Sequence, residues 1–302
     1  MSFSFCIITG GSRPEILRTV LASIRGQGIA DYEIIVSGRH AAEPGLIYVP
    51  AAEAAAAGRL SVLRNLGVAK ARYEHIVILD DDVILAPDWY QAFRRYDRPF
   101  DILTSQVRVP DGSRYFDHAT VGGPRGHRIL RSEEEDDFVY MTGGGGWVMK
   151  AAVARAVQWN EHKTYYQEED VDFSRRCQAR GFGIAHHHGM LVFHADPSYT
   201  GIGRVVARRR DGRSQQWIQT AFADASGVEI LRRMAQFRKA GCFAEAADLA
   251  RMARIRGPAR WFFSLLWRLV EAKMGGRLPD VDWYPGGDPA YLEALERFTA
   301  EP

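Results

Sequence analysis

Cysteine is scarce. Cys6, Cys177 and Cys242 are the only three in 302 residues, widely spaced and without a CxxC pair. That excludes a disulfide framework and a structural zinc site and fits reduced thiols in the cytoplasm. Long apolar runs are missing too: the strongest, Trp261–Val270, is too short to cross a bilayer as a helix. The start, MSFSFCIITGG, has no basic stretch ahead of its apolar residues, so no signal peptide is expected. Charge of one sign is also lacking. Lys+Arg 39 against Asp+Glu 37 leaves +2, which removes the electrostatic case for a nucleic-acid partner. After the first strand ITGGSRPE stands where a nicotinamide-dependent oxidoreductase needs GxGxxG.

What is present is ordinary globular material, 46% apolar and 25% charged, long enough for two domains or one with an appendage. Phe3–Thr9 reads as a buried strand closed by Gly10-Gly11-Ser12-Arg13-Pro14, with Pro14 in the first turn of a helix carrying Ile16, Val20, Leu21 and Ile24. Tyr32–Ser37 and Leu46–Val49 read as strands, Ala51–Gly58 as a loop or helical turn, Leu60–Arg72 as a helix and His75–Leu79 as a strand. This alternation predicts a mostly parallel, doubly wound sheet, whose ligands bind beyond the carboxyl ends of the strands. The loops after Ile8, Val36 and Leu79 share that edge. Further on, the spacing predicts helices from Ala151 and over Glu168–Arg180, then strands near Ile184 and at Met190–His194. Beyond Gly227 the texture turns helical, with Val228–Ala240, Phe243–Ile255 and Pro258–Met274 as candidates. The expected division is 1–226 and 227–302.

Four constellations bear on chemistry. Asp80-Asp81-Asp82 ends an apolar strand, and three adjacent carboxylates repel unless a cation or hydrogen-bond donors sit among them. Carboxylate, phosphate and water oxygens suit Mg²⁺ or Mn²⁺; a solvated acidic turn, or Asp82 capping a helix, is the alternative. Glu168-Glu169-Asp170-Val171-Asp172 opens a helix, where acids offset the helix dipole or one carboxylate acts as a base. His194 closes an apolar strand before Asp196 and Pro197, as a ligand at a strand end or a hydrogen-bonded structural residue; His186–His188 alternate faces and cannot share one ion. Arg204, Arg208, Arg209, Arg210 and Arg213 form a basic stretch, either solvated surface or a clamp for a diphosphate.

These signals occur in one order: FCIITGGSRPEILRTVLASI, LRNLGVAKARYEHIVILDDD, GGGGWVMK, then YQEEDVDFSRRCQARGF. In that order the chain resembles the family-2 glycosyltransferases over about residues 3–200. The resemblance implies a GT-A fold, which is α/β and Rossmann-like with flanking helices, here followed by a C-terminal helical appendage. It implies an inverting hexosyltransferase-type reaction from a nucleotide diphosphate sugar to an acceptor hydroxyl, assisted by Mg²⁺ or Mn²⁺. By position it places Thr9, Gly10, Gly11, Arg13, Ser37, Arg59, Arg64, Asn65, Asp80 and Asp81 at the nucleotide sugar. Gly144–Trp147, with Gly145 and Trp147 foremost, would form the floor between donor and acceptor, and Arg208 would reach the diphosphate. Asp82, with Asp80 and His194, would hold the metal; Asp170 would be the general base with Glu169 beside it.

The family usually has Asp at the end of the second strand, where this chain has Ser37-Gly38-Arg39. A UDP-linked donor is favoured, with dTDP-, GDP- and CDP-linked donors open, and the acceptor is a carbohydrate, a lipid-linked molecule or a small molecule. Two other classes are weighed: a sugar-nucleotidyltransferase, which GGSRP matches only in part, and a non-catalytic nucleotide-sugar-binding module. The aromatic tail, with Trp261, Phe262, Phe263 and Trp267 among arginines, is expected to pack on the catalytic domain or a second subunit. The alternative is contact with a membrane surface at the inner face.

Overall fold

The computed structural model describes residues 1–110, 112, 118–123, 126–129, 139–141, 145–163, 169–195, 230, 234, 249 and 289–299. The expectations for Glu168, Asp196, the Arg204–Arg213 stretch with Arg208, Cys242, the boundary at 226/227 and the aromatic tail helix lie outside the described residues. Two compact units are found: residues 1–108, 116–195 and 290–302 form one, and 109–115 with 196–289 the other.

The first unit contains the sheet. Strands β1 (Ser2–Thr9), β2 (Asp31–Gly38), β3 (Ile47–Pro50) and β4 (His75–Asp80) are mutually parallel. Helices α1 (Pro14–Arg25), α2 (Ala52–Ala56) and α3 (Leu60–Val68) connect them. The chain continues through β5 (Val83–Leu85), α4 (Trp89–Arg95), β6 (Ile102–Arg108), β7 (His118–Gly123), β8 (Gly126–Ile129) and β9 (Val139–Met141). Then come β10 (Trp147–Lys150), α5 (Ala151–Ala156), α6 (Glu169–Ala179), β11 (Ile184–His194) and, near the end, α7 (Pro289–Thr299). The eight-stranded order is β3-β2-β1-β4-β10-β6-β11-β5, and β8-β7-β9 form a small second sheet. As expected, the large sheet is mostly parallel; β10 and β5 run against their neighbours.

Some local expectations shift. The helix read to Arg72 stops at Val68, and the two strands read around Gly189 are one long strand with a register shift between His187 and Leu191. The tripeptide VIL after the aspartates, unread from sequence, is β5. Its position bends the sheet. Only Asp81 and Asp82 separate β4 from β5, yet β10, β6 and β11 lie between them. Four strand spacings amount to about 19 Å in a flat sheet, whereas the three steps from Asp80 to Val83 reach about 11 Å. The sheet must therefore curl. β6 and β11 stay paired out to Arg108 and Phe193, past Leu103 where β10 leaves β6, and β5 joins this overhang. The curl carries His194 to the aspartates, and the Ala195 N–H donates to the Asp82 carbonyl at 2.7 Å.

Fully buried strands explain the uninterrupted apolar runs: Phe3, Phe5, Ile7, Val77, Leu79 and Val192 are all solvent-free. Helix α4 adds Trp89 and Phe93, whose ring centroids lie 6.4 and 5.3 Å from that of Phe3. Gln27 ties α1 to this region, donating to the Ser23 and Ala86 carbonyls and accepting the Tyr90 N–H. Helix α7 lies on α1, where a methyl at Gly26 would run into the Phe298 ring. Beside this contact is a cavity of about 790 Å³, walled by Ile16, Ala22, Ile84, Tyr291 and Leu295.

Glu33 latches β2 to the turn after α3. Its carboxylate accepts from Ser4 Oγ, the Arg72 N–H and Arg72 Nε, each at 2.7 Å. Burial pushes its carboxyl up, but these three donors win and hold it below the usual glutamate range. Stability from this group is present above that range and lost as pH falls through the lowered value. Glu33→Gln should cost about 2–3 kcal/mol at pH 7, from charge-assisted bonds weakened or unmade. Urea unfolding of the two proteins checks this; the gap should close as the pH is taken below 4.5, the ordinary glutamate value.

Candidate active site

Three carboxylates in a row at the end of β4 need partners, and the fold gives each its own. Asp80 Oδ1 receives Arg64 Nη2 at 3.4 Å, Asp81 Oδ2 receives Thr9 Oγ1 at 2.6 Å, and Asp82 Oδ2 receives Arg13 Nη1 at 2.6 Å. Asp82 Oδ1 lies 3.6 Å from His194 Nε2. Burial, with the charge of Asp82, pushes the Asp81 carboxyl up against the pull of Thr9 and Arg13.

The parallel register puts these partners there. Thr9 closes β1, which pairs with β4 through Ile8 opposite Asp80. Thr9 Oγ1 also accepts the Gly11 N–H at 3.0 Å, turning the loop Gly10–Arg13 toward the aspartates. Gly38, at the end of β2, has φ 129° and presses its α-carbon side onto the Thr9 carbonyl, so no side chain fits there. Gly145 and Gly146 have φ 74° and 78°; they let the chain cross the end of β4, with a methyl at Gly145 only 3.1 Å from the Asp80 nitrogen.

Arg64 joins the two acidic blocks. Only 2% exposed, it gives Nη2 to Asp80 and Nη1 to Glu169 Oε1 at 3.1 Å, and its guanidinium lies 5.5 Å from the Trp147 ring centroid. Its Nε is buried without a hydrogen-bond partner. Asp170, next to Glu169, keeps some solvent access but is crowded by protein on nearly every side. That burial, with the Glu169 charge, pushes its carboxyl up to about 7; Arg64 and the Val171 N–H, which donates to Oδ1 at 2.8 Å, oppose the shift.

Several residues assigned to the nucleotide sugar by resemblance are instead engaged in the scaffold. Ser37 is buried and donates to the Leu63 carbonyl at 2.8 Å, packed on Gly67. Asn65 is taken up by a latch from α3 to the segment after α5: Nδ2 donates to the Trp159 carbonyl and Glu161 Oε1, and Oδ1 accepts the Trp159 N–H. The ring of Trp159 stacks on Phe173 of α6, centroids 3.9 Å apart, so the latch also seats the helix bearing Asp170. Arg59 is exposed and reaches the Glu161 carbonyl at 3.4 Å. Trp147 is 1% exposed in the core and shows no open face, because its strand turns it inward beneath Arg64. Arg64 itself is an internal tie, not a surface contact.

Of the expected site residues, Gly10, Gly11, Arg13, Asp80 and Asp81 at the strand ends, Asp170 at the start of α6 and Arg59 ahead of α3 remain accessible. Among the described residues, no three His, Cys, Asp or Glu side chains are grouped to hold a metal ion. Asp82 and His194 are adjacent oxygen and nitrogen donors, a partial set that fits a divalent ion such as Mn²⁺ if a ligand completes it. Sequence reasoning missed the latch through Trp159 and Glu161, and Arg64 as a tie. The signal for Arg64 was there: it shares a helix face with Leu60 and Gly67, where an arginine needs an internal partner.

The model of the family described as "Glycosyltransferase like family 2" matches residues 6–214. No curated protein matches the chain. Among solved structures it is similar to residues 1–349 of TarS from S. aureus, at 14% identity and TM-score 0.48, covering 99% of this chain and 80% of that one. It is also similar to GalNAc-T7, at 13% identity and TM-score 0.48, covering 65% of this chain and 44% of that one.

Proposed function

Because this chain belongs to the glycosyltransferase-like family 2, and is on that ground a glycosyltransferase, we propose that it transfers a sugar with inversion from a nucleoside diphosphate sugar to an acceptor hydroxyl. The acceptor oxygen attacks the anomeric carbon, the bond from that carbon to the diphosphate oxygen breaks, and Asp170 takes the hydroxyl proton. The nucleoside diphosphate departs with the bond's electron pair. One base suffices, and no covalent intermediate is formed on the protein.

One observation carries the reading: a single guanidinium, that of Arg64, joins Asp80 to Glu169 and so sets Asp170, with its carboxyl near 7, within the same cluster as the β4 aspartates. A carboxyl poised there accepts a proton at neutral pH and retains enough basicity to draw it from a hydroxyl in the transition state. The Gly10–Arg13 loop then faces the donor, with the Arg13 side chain for its phosphates. A bound Mg²⁺ or Mn²⁺, held by Asp82 and His194, would supply positive charge against the leaving diphosphate.

The reading extends to a cytoplasmic location and to polysaccharide or glycoconjugate synthesis. Among the described residues no helix is long and apolar enough to cross a membrane.

A thermal-shift panel tests the class. UDP-, dTDP-, GDP- and CDP-sugars, each with and without Mn²⁺, should include one donor that raises the melting temperature in a Mn²⁺-dependent way; saturation a hundredfold above Kd is worth about 2.7 kcal/mol. NAD should give no shift. Pyrophosphate release from a nucleoside triphosphate and a sugar phosphate, with no donor stabilising the protein, would replace this reading with nucleotidyl transfer.

A further inference from the structure

Both ends of the Asn65 amide are committed to one stretch of chain. With Trp159 it makes the pair of bonds that a neighbouring strand would make: Oδ1 accepts the Trp159 N–H at 2.9 Å, and Nδ2 donates to the Trp159 carbonyl at 3.0 Å. The second Nδ2 hydrogen goes to Glu161 Oε1, also at 3.0 Å. Asparagine alone among side chains of this length offers an acceptor and two donors on one planar group. Aspartate there would set an oxygen against the Trp159 carbonyl and the Glu161 carboxylate.

What the amide holds in place is the indole. Trp159 is buried, and its ring lies flat on that of Phe173, centroids 3.9 Å apart and planes inclined by 4°. Phe173 is solvent-free and stands one helical turn after Asp170, on the same side of α6. Arg64, the neighbour of Asn65 on α3, holds the residue before Asp170 through Glu169 Oε1 at 3.1 Å. Two adjacent residues of α3 thus grip the first turn of α6, one ahead of Asp170 and one behind it. Asp170 Oδ1 accepts the Val171 N–H, a bond within its own helix, so the place of the carboxylate follows from the place of that turn.

We propose that Asn65 is a positioning residue for Asp170, holding the first turn of α6 through Trp159 and Phe173 so that the carboxylate meets the acceptor hydroxyl. The proposal rests on the base reading above and deepens it. A base acts only in the right place, and a misplacement of about 1 Å can cost about a hundredfold in rate. Loosening the turn also admits water and relieves the burial that raises the Asp170 carboxyl, so its titration moves down from about 7. The charges that act on it, Glu169 of the same helix and Arg64 of α3, are retained when Asn65 gives way to an uncharged residue. Strand β9, also packed on α6, is Val139-Tyr140-Met141 and adds no group that titrates near neutrality.

The test uses the full-length protein with Asn65→Leu, similar in shape and unable to hydrogen-bond. Its single-turnover rate at saturating donor and acceptor should fall about 10–100-fold, with donor affinity within about twofold of wild type. The Asp170 carboxyl, followed by ¹³C NMR of aspartate-labelled protein, should titrate at lower pH than in wild type. Asn65→Gln, which keeps the amide one methylene further out, should recover part of both, and it carries the comparison should Asn65→Leu not fold. Trp159→Leu should reproduce Asn65→Leu, and the double variant should be no slower than the slower single one, because both cut the same chain of contacts. With Asp170→Asn slow, either readout unchanged in Asn65→Leu overturns the proposal, whatever the melting temperature does; so do losses that multiply in the double variant. If the Asp170 titration moves in Asn65→Leu while Asp170→Asn turns over like wild type, Asn65 still places the carboxyl and it is the base reading that fails.

Discussion

Asp170→Asn is expected to reduce turnover by about 10²–10⁴-fold, the range that a positioned general base contributes. Donor binding should stay near wild type. Asparagine keeps the shape of the side chain and can still accept the Val171 N–H, so the start of α6 is undisturbed. What it loses is the proton acceptor. Wild-type turnover should climb with pH through about 7, where the buried Asp170 carboxyl ionises, and level off above it. The residual rate of Asp170→Asn should lack this limb. A rate measured across pH 5–9 in single-turnover conditions decides; an unchanged limb in the variant would move the base to another residue.

The same shift makes a stability statement with the opposite advantage. The folded-state value is raised above the ordinary 3.8, so folding favours the neutral acid. The stabilisation is complete below the unfolded value and disappears as pH rises through about 7. Wild type at pH 8 therefore carries a charged carboxylate that the fold disfavours, and Asp170→Asn should melt higher there. The gap should shrink as pH falls and close below 3.8, where both folded and unfolded wild type hold the neutral acid. A site that is less stable than its inactive variant is what a functional carboxylate in this position predicts.

Arg64→Met should have the second large effect, on stability and on the pH profile together. Removing one member of a buried ion cluster costs about 3–5 kcal/mol, because Asp80 and Glu169 lose their cation while staying where they are. Arg64 also draws the Asp170 carboxyl down, so without it the limb of the rate profile moves to higher pH. Arg64 acts through these carboxylates and is a positioning residue. A merely structural role would lower the amount of folded protein and leave the limb in place. Should Arg64→Met fail to fold, Arg64→Lys separates the two: it keeps a charge but lacks the fork that reaches both carboxylates. Its limb should fall between those of wild type and of a site without Arg64, which lies at higher pH. Urea unfolding and pH–rate curves on both variants measure this.

The carboxylates show how far the sequence could be read. Three adjacent aspartates demanded a cation or donors, and the sequence suggested a metal ion. Part of the answer is internal: Arg64, Thr9 and Arg13 each take one. Their separations in sequence, 16, 72 and 69 residues, carry no pattern that periodicity detects. Asn65 and Ser37 look equally polar and equally close to the strand ends, yet the fold spends them on Trp159 and Leu63. The resemblance puts Trp147 in the floor between donor and acceptor from its strand position, which sets the edge a residue nears, while its inward face depends on the pairing of β10 with β4 and β6.

The sequence by itself determined the alternating strands and helices of the first ninety residues, the parallel core and the two acidic blocks with their order. Those follow from local chemistry: apolar runs must be buried, glycine and proline mark the turns, and clustered charge seeks the ligand edge. Only the tertiary structure decided that β5 crosses to the far edge, that the sheet curls to bring His194 to Asp82, and that Arg64 ties Asp80 to Glu169. Those are pairings across long stretches of chain, and they are chosen by which distant surfaces and charges satisfy one another once the backbone has closed.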